Sequence, residues 1–161
     1  VEITVSGAAS TRAARRIGTG REESAPGRRI VKIGYKFGGR EMSYQPDNIF
    51  AKILRGEIPN DTVYEDDEVL AFRDINAQAP VHVLVIPKGE YISLDDFTQG
   101  ASAEAVGRFF QKVAEIARQL GVDGEGYRVI ANTGHNGGQE VPHFHMHICA
   151  GRRLGRMIAQ G

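Results

Sequence analysis

The chain has 161 residues, 41% of them apolar and 25% charged, with 20 basic and 20 acidic side chains in exact balance, which is the texture of one globular domain large enough to bury a core. Its single cysteine, Cys149, excludes an intrachain disulfide and a cysteine-based zinc site, and fits a reducing cytoplasm. No apolar run approaches the ~20 residues of a membrane span, so no membrane partner is expected.

The balance of charge hides an asymmetry. Residues 1–41 hold nine Lys/Arg and four Asp/Glu, a net of +5, and the remainder holds eleven and sixteen, a net of −5. The first segment, with "STRAARRIGTGREESAPGRR", has no sustained apolar period and is predicted to be disordered. A nucleic-acid-binding tail would offer only Tyr35 and Phe37 as aromatics, and a transit peptide would not favour Glu22 and Glu23. The reading adopted is an extension upstream of a natural start at Met42. Basic charge alone does not argue for nucleic acid, and no nucleic-acid partner is expected.

From Met42 the elements are legible in order. Asp47 is placed to cap a short helix with Ile49, Phe50, Ile53 and Leu54 on one face, ended by Gly56 and Pro59. "TVYEDDEVLAFRDI" reads as two strands around an acidic turn at Asp66-Asp67. "VHVLVIP", 81–87, is a third strand with Val81, Val83 and Val85 on one face and His82, Leu84 and Ile86 on the other. Ser102 caps the longest helix, whose buried face is predicted to carry Val106, Phe109, Phe110, Val113, Ile116, Ala117 and Leu120, with Gly121 just past its end. "YRVIAN", 127–132, is a fourth strand. The loop "TGHNGGQEVP" then leads into "HFHMHICA", 143–150, read as the last strand. No internal repeat is present. The class is α+β: an antiparallel meander sheet with one long helix and a short N-terminal helix.

Three of the five histidines fall at alternate positions in that last strand. Residues i, i+2 and i+4 of a strand share a face, so His143, His145 and His147 form a row while Phe144, Met146 and Ile148 enter the core. Such a row can bind metal, perform acid–base or nucleophilic chemistry near neutral pH, or be structural. The surroundings favour chemistry on an anion. Gly137 and Gly138 let backbone N–H groups approach a phosphate, Asp74 can accept from two ribose hydroxyls, and Phe50, Ile53, Phe72 and Ile75 can sandwich a flat base.

"HFHMHICA" resembles the His-φ-His-φ-His-φ-φ signature of the histidine triad family, φ being apolar. "NIFAKILRGEIP", "VYEDDEVLAFRDINAQAPVHVLVIPK", "GYRVIANTG" and "GGQEVPHFHMH" resemble its Hint branch, the nucleoside phosphoramidases of bacterial type. The likeness runs from about Asp47 to Met157 and covers none of residues 1–41. It implies a histidine triad domain over 42–161 and hydrolysis of the P–N bond of purine nucleoside phosphoramidates and related AMP conjugates. His145 would be the nucleophile that carries the nucleotide. His147 and His82 would flank the phosphate, and His143 would orient His145 or the loop. Asp74 maps to the ribose contact. Ile49, Phe50, Ile53, Phe72 and Ile75 map to the base pocket, Arg73 to the nucleotide contacts, and Asn132, Gly138 and Gln139 to the phosphate side. No cofactor or metal is implied, and family members act as homodimers.

This chain also departs from the pattern. "DNIFAKI" stands where some members carry a Cys-x-x-Cys zinc site. Glu140 and Pro142 stand where some Hint proteins have Ser and Tyr. Three rival readings are a nucleotide sensor or scaffold with little turnover, a zinc hydrolase using the triad as ligands, and a dinucleoside polyphosphate hydrolase of another histidine triad branch.

Overall fold

In the computed structural model, residues 43–158 are described in full, together with the backbone of residues 35–37 and 40–42. The basic segment up to residue 34 lies outside the described residues. Its last stretch departs from the predicted disorder: β1 (Tyr35–Phe37) pairs antiparallel with β2 (Arg40–Met42).

The first helix, α1 (Ile49–Leu54), is capped one residue later than predicted. The Asn48 side chain accepts from the Ala51 N–H at 3.0 Å and its own amide donates to the Gln45 carbonyl at 2.7 Å, which leaves Asp47 outside. Strands β3 (Thr62–Glu65) and β4 (Val69–Arg73) flank the acidic turn, where Asp66 accepts from the N–H groups of Glu68 and Val69. Strand β5 (Val81–Pro87) follows, then two helices, α2 (Leu94–Gly100) and α3 (Ala103–Gln119). The last strands are β6 (Arg128–Ile130) and β7 (Met146–Ala150).

The sheet runs β3-β4-β5-β7-β6, antiparallel at every pairing. The meander spans β3 to β5. The chain then crosses one face through α2 and α3, sets β6 at the far edge, and returns with β7 to fill the gap. Both faces are covered. Val69, Val83, Val85, Phe144, Met146 and Ile148 meet Phe97, Phe109, Val113 and Ile116 of the two helices. Leu70, Phe72, Leu84 and Ile86 meet Phe50 and Ile53 of α1. Strand β5 alternates between these two clusters as its sequence predicts.

Ser102 caps α3 by accepting from the Ala105 N–H at 3.1 Å. At the other end the Gly121 N–H donates to the Arg118 carbonyl and the Val122 N–H to Ala117, with Gly121 at φ 67°, a left-handed turn that a side chain would strain. Phe110, predicted on the buried face, is 43% exposed instead. It sits one residue past Phe109 and rotates off the buried stripe.

Candidate active site

The predicted histidine strand is shorter than expected: β7 begins at Met146, and His143 to His145 lie in the loop before it. The alternation nonetheless persists, with Phe144, Met146 and Ile148 under the helices. Residues 143–145 leave the ladder because their polar groups bond elsewhere. The Phe144 N–H donates to the Tyr91 carbonyl at 2.7 Å and the His143 N–H to the Val141 carbonyl at 2.9 Å.

Hydrogen bonds to backbone groups settle which nitrogen of each imidazole carries the proton. The Gln78 N–H can only donate, so His82 Nδ1, 3.1 Å away, accepts and His82 Nε2 is protonated. That N–H faces His147 Nδ1 at 2.9 Å, which leaves the His147 proton on Nε2. Carbonyl oxygens can only accept. His145 Nδ1–H therefore donates to the His143 carbonyl at 2.6 Å, and the lone pair of His145 sits on Nε2. By the same logic His143 Nε2–H donates to the Pro87 carbonyl at 2.9 Å, and its Nδ1 accepts from the Tyr44 hydroxyl at 2.6 Å.

One group is left over. His147 Nε2 is buried and has no hydrogen-bond partner among the described residues. An orphaned donor of this kind costs about 1–3 kcal/mol, which argues for a ligand that completes it. The His145 and His147 rings meet edge-on with centroids 5.0 Å apart, and Phe50 closes the other side of His145 at 5.1 Å. Burial drives the pKa of His143 and of His147 down to about 4, with the neighbouring imidazoles reinforcing the drop. Burial also lowers His145, against the pull of the His143 carbonyl, Asp74 and Glu140. All three triad imidazoles are thus neutral at pH 7.

Asp74 follows β4 directly. Its N–H donates to the His82 carbonyl at 3.0 Å, Oδ1 accepts from the Asn76 N–H at 2.8 Å, and Oδ2 lies 3.4 Å from His82 Nε2. The expected base sandwich divides. Phe50, Ile53 and Phe72 are core, with Phe50 and Phe72 packed edge-to-face at 5.6 Å and no gap for a base between them. Ile49 and Ile75 are exposed instead, Ile75 by 92%, because the chain leaves the sheet after Arg73. Arg73 turns outward to Asp61 at 3.5 Å. Asn132 is half-buried, two residues beyond Ile130, the register partner of His147.

The glycine loop also differs from expectation. The Gly138 N–H donates to the His135 carbonyl and the Gln139 N–H to the Gly134 carbonyl, each at 3.0 Å, so both N–H groups close the loop on itself. The Gln139 side chain accepts from the Gly134 N–H at 2.9 Å and donates to the carbonyls of Ile92 and Val141 at 2.6 and 3.0 Å. It staples the loop rather than reaching for phosphate. Gly137 is required by close approach, since a Cβ there would meet the Thr133 carbonyl oxygen.

A family model described as the HIT domain matches residues 55–154. The chain belongs to the HIT family. Within it, a purine nucleoside phosphoramidase of Escherichia coli (strain K12) is 50% identical over 113 residues, which cover 70% of this chain and 94% of that protein. Among solved structures, a histidine triad protein from Clostridium difficile is 48% identical with a TM-score of 0.64, covering 70% of this chain and 96% of its own. A HIT family hydrolase from Legionella pneumophila Philadelphia 1 is 38% identical with a TM-score of 0.61, covering 66% of this chain and 94% of its own. These HIT relatives share the α+β fold and its antiparallel sheet. No helix among the described residues is long and apolar enough to cross a membrane.

The contact that sequence reasoning missed is Tyr44 with His143. They lie 99 residues apart, and no spacing rule links them. Asp74, His82 and His147 are also close enough to share a metal ion, with one ligand atom from each within 4.8 Å of the others. The 2.9 Å bond joins His82 Nε2 to His147 Nδ1, so one nitrogen of each imidazole is already engaged.

Proposed function

We propose that this chain is a cytoplasmic nucleoside phosphoramidase. It would hydrolyse purine nucleoside phosphoramidates and related AMP conjugates, such as aminoacyl adenylates, through a nucleotidyl-histidine intermediate. The observation that carries this reading is the orientation of His145: its Nδ1–H is held by the His143 carbonyl, which leaves Nε2 as the lone pair, and its ring meets edge-on that of His147, whose Nε2–H is buried without a partner among the described residues. A neutral nucleophile next to a proton donor is what splitting a P–N bond requires.

Nε2 of His145 attacks phosphorus and the P–N bond breaks. The departing amine takes the His147 Nε2 proton as one proton from solvent enters the His82–His147 pair, so that the pair stays neutral. The His143 carbonyl stabilises the positive imidazole that results. Water then attacks phosphorus, its proton passes to solvent through the pair, and the nucleoside monophosphate leaves with His145 restored. The His82–His147 bond holds the donor tautomer. Asp74 binds the ribose, and the exposed Ile49 and Ile75 offer apolar surface to the base, with Phe50 and Phe72 behind them. The named phosphoramidase at 50% identity supports the substrate class. Homodimer formation belongs to the same reading, supported by the open edge at β6 and by exposed Phe110 and Tyr127.

Acid quench of labelled adenosine phosphoramidate tests the reading. We expect one nucleotide per subunit on the wild type and none on His145→Ala, with His147→Ala slowed about 10²–10⁴-fold, the usual worth of general acid assistance. A labelled adduct on His145→Ala would refute it. Activity that falls with chelator and returns with zinc would favour the metal site of Asp74, His82 and His147. Tight AMP binding without turnover would favour a sensor, and preference for dinucleoside polyphosphates another branch. Sedimentation of the free chain tests the dimer.

A further inference from the structure

We propose that Tyr44 is a positioning residue for His145 and acts through His143; the role rests on the reading of His145 as the nucleophile. Tyr44 lies before α1 and before the residues that the family model matches. Its hydroxyl donates to His143 Nδ1 at 2.6 Å, and the two rings meet edge-on with centroids 5.6 Å apart. Burial holds the phenol above its ordinary pKa, so it is a donor at neutral pH.

His143 is fully buried, and its N–H, carbonyl and both ring nitrogens are all bonded. Three of these bonds tie it to Val141, Pro87 and Tyr44. The fourth presents the carbonyl that grips His145 Nδ1–H. The direction of that carbonyl sets where His145 Nε2 points. With the Tyr44 hydroxyl gone, His143 keeps only the Pro87 bond to its ring, and a buried lone pair stays unpaired. The ring then rocks about one anchor, and the peptide that orients His145 rocks with it.

Tyr44 is itself held from α1. Asn48 donates through both its backbone and side-chain nitrogens to the Gln45 carbonyl, and an Arg55 guanidinium N–H donates to the Pro46 carbonyl. The segment 44–48 therefore links the first helix to a loop 99 residues further on.

Tyr44→Phe keeps the ring and removes only the hydroxyl. We expect nucleotidylation of His145 in single-turnover acid quench to slow about tenfold with KM nearly unchanged, since misorientation acts on the reacting atoms and not on ground-state binding. In a His143→Ala background the same substitution should cost less than about twofold, because the path to His145 is already cut. Nitrogen-15 spectra of labelled histidine should show His143 Nδ1 losing a hydrogen bond and the His145 signals moving with it. An equal loss of rate in both backgrounds, or His145 signals that stay fixed, would overturn the proposal. Wild-type chain that fails to cleave phosphoramidates would remove the functional reading alone; the spectra would still decide whether Tyr44 controls His145.

Discussion

At the scale of single residues, the site is held by tautomers that the main chain dictates. Backbone groups of Gln78, Pro87 and His143 each choose a ring nitrogen, and the choice propagates from His82 to His147. Two outcomes follow from individual side chains. Asp74→Asn preserves the acceptor for the Asn76 N–H and removes the charge, so it should raise KM for ribonucleotide conjugates about 10–100-fold while kcat changes little, in line with ~1.5–3 kcal/mol for a charge-assisted bond. An unaltered KM in steady-state kinetics would rule out the ribose contact. The second outcome is a pH dependence of stability. His143 and His147 have folded pKa values near 4, below the ordinary 6.5, so the unfolded chain takes up protons first as pH falls. Stability is full above about pH 7, declines through the window between the two pKa values, and each histidine removes about 1–2 kcal/mol by pH 5. The urea midpoint measured at pH 7 and pH 5 checks this, above the range where carboxylates titrate.

At the scale of elements, the strands and α3 were legible because their burial is periodic. β5 alternates between two cores, and α3 repeats its apolar face over 17 residues. The helix α2 escaped notice because only Phe97 of its seven residues is buried, so it carries no stripe. Its cap was readable all the same: Ser93 accepts from the Asp96 N–H, and Asp96 accepts in turn from the Ile92 N–H. In the site, the triad row was readable from spacing, Asp74 from its place at the end of a strand, and the part of His82 from the family resemblance. The uses of Gln139 and Tyr44 were not, because each depends on groups dozens of residues away. The loop 133–142 gives the test at this scale. Gln139→Ala removes three bonds that clamp it to itself and to Ile92. Unfolding in urea should show a loss of roughly 1–3 kcal/mol, the usual consequence of stranding part-buried partners. No change in midpoint would mean that water replaces the staple.

At the scale of the whole molecule, every residue of the two buried clusters lies at Phe50 or later, and the family match begins at residue 55. Among the described residues before Phe50, Tyr44 has a side chain that reaches the site. A chain beginning at Met42 should therefore keep its turnover and a single cooperative unfolding transition. One beginning at Ile49 should keep the fold and lose rate. Equal loss in both, measured by adenosine phosphoramidate hydrolysis and calorimetry, would place an essential contact before Met42.

The strand order has a consequence for how the molecule comes apart. Fraying starts at the rims of a sheet, here β3 and β6, where one side of each ladder has no strand among the described residues. His82 and His147 ride on β5 and β7, which are flanked on both sides; β5 is packed against helices on both faces and β7 against α2 and α3 on one. Small excursions can therefore peel an edge and re-anneal while the imidazole pair stays in register. The imidazole pair is lost only when the centre of the ladder melts, so its working life is tied to that of the fold itself.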